Sequence, residues 1–234
     1  MNISQNIEII AESLWIKDKE TLIIGDLHLG YEEGLQQKGI LLPKQQLQET
    51  KNKIKNILQK VKPKTIIING DLKHEFGKVL KQEWKEVTEI INYLSKHCQE
   101  LILIKGNHDV ILSPIADKNK LTIKEDYQID QILITHGDKI KETKAKIIII
   151  GHEHPSISLR EKSKVERYKC FLKGKWKTKQ LIVMPSFNPL LEGIDILKEK
   201  LLSPYLKKIS NFEVIIISGE ESLNFGKVKE LIQE

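Results

Sequence analysis

Apolar positions along this chain fall into short, dense runs rather than long alternations. Thr21–Ile24, Thr65–Ile68, Leu101–Ile104, Gln131–Thr135, Ile147–Ile150, Leu181–Met184 and Val214–Ile217 are each rich in β-branched side chains. Runs this short and this apolar predict strands covered on both faces, because a strand with one wet face would alternate polar and apolar positions. Two stretches carry the helical period instead. After Pro43, the residues Leu47, Ile54, Leu58 and Val61 share one face, and Leu80, Trp84, Val87, Ile91 and Leu94 are spaced 4, 3, 4, 3. Both are stripes of helices packed on a sheet. Pro43 suits the first helical position, where its missing N–H is no loss. The first half therefore reads β-α-β-α-β and short strands dominate the second. The expected fold is α/β, with sheet inside and helices outside. No Pro/Gly/Ser-rich linker or internal repeat divides the sequence, so residues 1–234 are read as a single domain.

The segments just after the strands are polar in a repeated way. Leu22-Ile23-Ile24 runs into Gly25-Asp26-Leu27-His28, and Ile66–Asn69 into Gly70-Asp71-Leu72-Lys73-His74. Leu101–Lys105 leads to Gly106-Asn107-His108-Asp109, Ile132–Thr135 to His136-Gly137-Asp138, and Ile147–Ile150 to Gly151-His152-Glu153-His154. Any one of these alone is an ordinary capping turn. Five in series are not accounted for by turn chemistry, and ligands of open α/β sheets sit at the carboxyl ends of strands. Of the seven histidines, only His97 lies outside these clusters. Imidazoles mixed with carboxylates and one amide oxygen suit a divalent ion such as Mn, Fe, Zn, Co or Ni. Seven candidate ligands exceed the needs of one tetrahedral ion and match two ions that share a carboxylate. Paired ions about 3.5–4 Å apart clamp the attacking and leaving oxygens of a phosphoryl displacement.

The ordered set Asp26-x-His28, Gly70-Asp71, Gly106-Asn107-His108-Asp109, His136-Gly137 and Gly151-His152-x-His154 resembles the calcineurin-like metallophosphoesterase superfamily across residues 21–155. Within it, Asp26–Gly30 and Gly70–His74 are similar to the archaeal SbcD-related phosphoesterases, and Met184–Pro189 to the DNA-ligase-associated phosphoesterases. The resemblance implies a four-layer α-β-β-α sandwich of two mixed sheets with helices outside and a metal site at the C-terminal ends of strands. It implies two divalent metal ions, manganese foremost, with Fe, Zn, Co or Ni as alternatives. Asp26, His28, Asp71 and His154 would hold one ion, and Asp71, Asn107, His136 and His152 the other, with Asp71 bridging. A hydroxide between the ions would attack phosphorus directly, without a phosphoenzyme. His108 resembles the residue that stabilises the transition state or protonates the leaving oxygen, and Asp109 would orient it. His74 matches a second active-site histidine of the repair-nuclease branch, the other reading being a neighbouring or surface histidine. Ser186 and Asn188 would contact substrate, unless Pro185 and Pro189 simply set a turn there. Asp138 departs from the His-Gly-His ending of many relatives, at a position that is usually not a ligand.

Composition bears on the substrate. The 234 residues carry a net charge of +6 with a pI near 9.0, which favours polyanionic partners without requiring them. Arg160 and Arg167 are the only arginines, so basic surface acts through lysine point charges. Residues 160–180 hold nine basic residues against Glu161 and Glu166, a local +7, with Tyr168, Phe171 and Trp176 interleaved. Lysines there would track a phosphate backbone while the aromatics stack on bases. The alternative is a hairpin over Tyr168–Thr178, turning near Gly174, whose lysines guard an edge strand. Residues 197–212 are either a small lid or a connecting helix and loop. Cys98 and Cys170 make no disulfide framework. Met1–Asn6 lacks the makings of a signal peptide, and no apolar run exceeds four residues, far short of a membrane span. A cytoplasmic chain with no membrane association is expected. Its substrate is expected to be a phosphodiester in nucleic-acid ends, oligonucleotides or cyclic nucleotides. A small phosphomonoester is the alternative and a non-catalytic scaffold a third reading. A DNA-repair partner is among the implied associations.

Overall fold

The computed structural model describes residues 1–40, 43–75, 80–109, 121–161 and 164–232. The first half of the chain builds one sheet in sequence order. Strands β1 (Asn2–Ser4), β2 (Ile7–Ile10), β3 (Ser13–Ile16) and β4 (Thr21–Gly25) pair antiparallel. Helices α1 (Tyr31–Gln37) and α2 (Gln46–Lys60) then lead to β5 (Thr65–Asn69), and α3 (Lys81–Ser95) to β6 (Glu100–Ile104) and β7 (Thr122–Lys124). From β4 to β7 the pairing is parallel.

The second half builds the other sheet from β8 (Asp126–Ile129), β9 (Ile132–Thr135), β10 (Ile147–Ile150), β11 (Pro155–Glu161), β12 (Lys164–Trp176), β13 (Lys179–Val183), β14 (Ile194–Asp195), β15 (Glu213–Ser218) and β16 (Glu221–Lys227). Its spatial order is β14-β11-β12-β13-β10-β9-β8, with β15 against β12 and β16 beyond β15. β9, β10 and β13 run parallel, so both mixed sheets carry a parallel set of strands.

The two-sided burial expected of the apolar runs is what the packing shows. Ile23, Ile67 and Ile102 of the first sheet meet Ile134, Ile149 and Ile182 of the second between the sheets. Their neighbours Leu22, Ile24, Ile66 and Ile68 turn outward onto Ile54, Ile57, Val87 and Leu94 of α2 and α3. On the far side Ile148, Ile150, Leu181 and Val183 face Tyr205, Leu206 and Phe212. Each such side chain contributes about 1.5–3 kcal/mol by burial. Helices flank the first sheet. The fourth layer, over the second sheet, is thinner: turns and extended chain between Ile196 and Phe212, plus the short helix Val228–Leu231. Residues 197–212 are therefore a connector that covers an apolar face, and they form no helix.

Three local expectations shift. Helix α2 begins at Gln46 rather than at Pro43, because the Glu32 carboxylate accepts the Gln45 and Gln46 amides at 2.7 and 2.8 Å and so fixes where the first turn starts. The strand through Gly174 does not turn there. β12 continues to Trp176, and the reversal falls at Lys177–Thr178 with Lys177 left-handed at φ +55°. Gly174 is needed for another reason, since a Cβ there would lie 2.4 Å from the Phe212 ring. Nor is β12 an edge strand: β11, β13 and β15 all pair with it. Phe171 is spent in the core between the sheets, and Tyr168 and Trp176 pack on the outer cluster. Among the described residues no helix is long and apolar enough to cross a membrane.

Candidate metal centre

The parallel strands of both sheets end on one side, and their last residues converge. Asp26 and His28 follow β4, Asp71 and His74 follow β5, and Asn107, His108 and Asp109 follow β6. His136 follows β9, and His152 and His154 follow β10. Three groups place their donor atoms within 4.8 Å of one another: Asp26–His28–His154, Asp71–His136–His152 and His28–His74–His108. In the first, His28 Nε2 lies 3.3 Å from His154 Nε2, which is 3.4 Å from Asp26 Oδ2. In the second, His136 Nε2 lies 3.1 Å from His152 Nδ1 and 2.9 Å from Asn107 Oδ1. Asp71 Oδ2 stands between the two, 3.6 Å from His28 Nε2 and 3.5 Å from His136 Nε2.

The backbone is bent to achieve this. Asp26, His28, Asp71, His152 and His154 all take left-handed φ values, between +33° and +63°. Non-glycine residues seldom adopt that region, and each costs of order 1 kcal/mol or more that the surrounding fold must offset. Leu27 between Asp26 and His28 is fully buried, so the turn sends the apolar residue inward and both flanking donors to the centre. Backbone bonds hold the loops together: the His28 N–H donates to Asp71 O at 2.8 Å, and the His152 N–H to Asp26 Oδ2 at 3.0 Å. The glycines beside the donors make room for them. A Cβ on Gly70 would lie 1.9 Å from His136 Nδ1, on Gly106 2.0 Å from Asp71 Oδ1, and on Gly151 2.3 Å from Asp26 Oδ2.

Electrostatically the cluster is short of positive charge. Burial, with Asp26 and Asp109 nearby, pushes the Asp71 carboxyl up to about 9. Burial works against the Asp26 charge as well, but His154, His136 and His152 outweigh it and hold that carboxyl below its usual range. Burial holds the His136 imidazole down to about 4 and His28 well below its ordinary value, which leaves these two as neutral nitrogen donors. Asp26 Oδ1, His28 Nδ1 and His136 Nδ1 are buried without hydrogen-bond partners. Imidazoles, two carboxylates and an amide oxygen, fixed within reach of each other, fit divalent cations.

The remaining candidates separate. His108 is half-buried; its Nδ1 meets the His74 carbonyl and its Nε2 lies 3.9 Å from Asp71 Oδ2. Asp109 was expected to orient His108, but its carboxylate is taken up by backbone. It accepts the amides of Gly106 at 3.0 Å, Leu72 at 3.1 Å and Lys73 at 3.3 Å, stapling the β6 loop to the β5 loop. The His74 carbonyl orients the His108 ring instead. His74 lines the same centre: its ring stacks on His108 at 5.7 Å and meets Tyr31 edge-on at 4.8 Å. Ser186 and Asn188, expected to touch substrate, are buried. Ser186 Oγ donates to Asp26 O at 2.8 Å and Asn188 Nδ2 to His28 O at 3.2 Å, so they hold donor loops in place. His97 stays apart on the exposed end of α3, bonded to Tyr93 O.

Two participants were not foreseen. Glu153, the unassigned residue of His152-x-His154, is fully buried and accepts the Leu202 and Ser203 amides at 2.9 and 2.7 Å, tying the covering segment to the donor loop. Lys169 reaches across to Ser186 O at 2.8 Å and to Asn188 O. Nothing in sequence spacing separates that lysine from the eight other basic residues of its segment.

Much of the chain is similar to known proteins. The family profile described as calcineurin-like phosphoesterase matches residues 20–219. The crystal structure of the nuclease MPE from Pseudomonas putida is 16% identical, covers 94% of each chain and superposes with a TM-score of 0.67. YfcE, a phosphoesterase from E. coli, is 13% identical over 88% of this chain and 98% of that one, with a TM-score of 0.43. A search of curated proteins gives no match. The first likeness is one of fold.

Proposed function

The chain belongs to the calcineurin-like phosphoesterase family, and from that premise, which makes it a hydrolase of phosphoesters, we propose a two-cation phosphodiesterase acting on nucleic-acid ends, oligonucleotides or cyclic nucleotides. One observation carries the two-cation reading. Asp71 Oδ2 sits 3.6 and 3.5 Å from imidazole nitrogens of two separate donor groups, the position of a shared carboxylate. Asp26, His28, Asp71 and His154 would hold one ion, and Asp71, Asn107, His136 and His152 the other. Divalent cations bound there, manganese foremost, supply Lewis-acid polarisation of the phosphoryl oxygens and a water acidified toward neutral pH.

The chain's own residues do the rest. The left-handed loops turn Asp26, His28, Asp71, His152 and His154 toward one centre. His108 serves the leaving group: its Nδ1–H donates to the His74 carbonyl, so Nε2 is the nitrogen that faces the centre. Beside the negative charge of a bound phosphoester the ring takes up a proton, and Nε2–H can pass it to the departing oxygen. His74, stacked on His108, keeps that ring from swinging away. The diester preference and the nucleic-acid substrate are supported by the nuclease of like fold, by the SbcD-related motifs and by the +7 of residues 160–180. A DNA-repair partner belongs to the same reading.

The test is hydrolysis of a chromogenic phosphodiester against its matching monoester by protein stripped of metal and refilled with manganese. The expected result is a higher kcat/KM on the diester by roughly tenfold or more, about 1.4 kcal/mol of transition-state preference. Preference for the monoester would replace this reading with a small-metabolite phosphatase. Absence of turnover on either ester, with metal bound, would leave a scaffold.

A further inference from the structure

A cleft of about 470 Å³ lies between α2, the β2–β3 turn, β12 and Pro189. None of the proposed metal ligands lines it. Its walls carry Lys53, Lys60, Arg167 and Lys169, with Glu12 and Glu220 as the acids, over an apolar floor that includes Ile57 and Pro189. Most of this charge is already matched. Lys60 pairs with Glu220 at 2.9 Å, and Arg167 with Glu199 at 3.3 Å and Gly193 O at 3.1 Å. The balance fails at one corner. Lys53 and Lys169 stand close enough that the charge of one disfavours that of the other, and Glu12 is the carboxylate beside them. Glu12 gives one oxygen to Lys53 at 2.5 Å, while Lys169 makes do with the carbonyls of Ser186 and Asn188.

Two complementary vacancies in bonding result. The Lys169 amine, bonded to two carbonyls and held down to about 7 by burial and by Lys53, recovers its charge when an anion binds beside it. Glu12 Oε2 is buried with no hydrogen-bond partner, and as a carboxylate oxygen it needs a donor. An anion satisfies the first and a hydroxyl the second. A phosphate carried on a sugar brings both in one molecule, and its carbon skeleton suits the apolar floor.

We propose that this cleft is a sugar-phosphate site separate from the metal centre, with the phosphate on Lys169 and Lys53 and a sugar hydroxyl donating to Glu12. The occupant is a free sugar monophosphate or a nucleoside monophosphate, which share that chemistry. A base would add contact with the apolar floor.

The experiment is calorimetric titration of the manganese-loaded full-length chain with ribose 5-phosphate and, separately, with adenosine 5′-monophosphate. Saturable binding is expected, weakened about tenfold or more by Lys169→Met and by Glu12→Gln, and retained in Asp71→Asn, which alters only the metal centre. Lys53→Met, on the opposite wall, serves if Lys169→Met does not fold. Tighter binding of the nucleotide assigns the site to nucleotides, and equal binding assigns it to the sugar phosphate. Binding that is absent, that survives Lys169→Met and Glu12→Gln, or that disappears with Asp71→Asn overturns the proposal. Heat from hydrolysis of either monoester at the metal centre is told apart from binding in the cleft by Asp71→Asn, which removes the first and leaves the second.

Discussion

The loops at the ends of the two sheets contribute unlike chemistry to one centre. Among the proposed ligands the first sheet brings Asp26, Asp71 and Asn107 with one imidazole, His28, its other two imidazoles, His74 and His108, standing beside the ligand sets; the second brings three imidazoles, His136, His152 and His154. Each sheet also keeps one buried acid as a strut. Asp109 in the first is bound to three backbone amides, and Glu153 in the second to two. Burial does not separate donors from struts, since Asp71, Asp109 and Glu153 are 2%, 2% and 0% exposed. The surroundings do. A carboxylate met by N–H groups has its charge dispersed among them and stays put. Asp26 and Asp71 each accept one amide, from His152 and His108, and their other oxygens face imidazoles and each other's charge, a balance that a cation would complete. In the proposed ligand sets the first sheet thus provides the carboxylates and the second most of the imidazoles, so the site is a seam that neither half completes.

The largest effect should come from Asp71, the residue shared by the two proposed ligand sets. Asp71→Asn removes the oxygen charge facing His28 and His136 together, so bound manganese should fall from about two per chain to below one, with activity down roughly 10²-fold or more. His152→Ala, on the imidazole side, should cost only the ion of its own group. Elemental analysis after gel filtration reads both. Equal losses in the two variants would break the contrast between acid-bearing and imidazole-bearing sheets, and unchanged occupancy in Asp71→Asn would remove Asp71 from the bridge.

That contrast was partly visible in the residues themselves. Every donor follows an apolar run of four or five residues, and the runs are apolar at each position because both faces are covered, as Ile23 and its neighbours Leu22 and Ile24 show. The strands of the amino-terminal meander were harder to see. β2 and β3 are four residues each, and Ile7-Glu8-Ile9-Ile10 is too short for its alternation to stand out. Hidden for another reason were the roles of Asp109, Glu153, Ser186 and Asn188. Their side chains bond to backbone groups as far as 160 positions away, as Ser186 does to Asp26, and spacing along a chain carries no signal of that. The same holds for Gly106 and Gly151. They read as turn glycines, whereas what requires them is the approach of Asp71 and Asp26.

The two struts allow a finer comparison. Asp109→Ala leaves three buried amides, those of Gly106, Leu72 and Lys73, without an acceptor, and should lower unfolding free energy by about 3 kcal/mol. Glu153→Ala strands two, Leu202 and Ser203, and should cost about 2 kcal/mol. Urea titration of the two variants gives the order. A larger loss for Glu153→Ala would mean that anchoring the covering segment matters more to the second sheet than stapling its two donor loops matters to the first.

The smallest effect, at most about 1.4 kcal/mol for each pH unit, concerns the link between the sheets. Lys169 on β12 holds the carbonyls of Ser186 and Asn188, whose side chains in turn hold the Asp26 and His28 loops of the first sheet. Burial and Lys53 bring its amine down to about 7, from 10.5 in the unfolded chain. Below about pH 7 both states carry the proton and the fold bears the full cost of a buried ammonium. Between about 7 and 10.5 the unfolded chain keeps the proton that the folded one has released, so stability rises with pH, and above that window the contribution levels off. Other groups titrate in the same range, and the quantity to follow is therefore the difference between the native protein and Lys169→Met. That difference should move in favour of the native protein by up to about 1.4 kcal/mol per pH unit from pH 7 upward. A flat difference would mean that the amine stays charged in the fold, with a counter-charge already beside it, and that the tie between the sheets is an ion pair rather than a bond from a neutral amine.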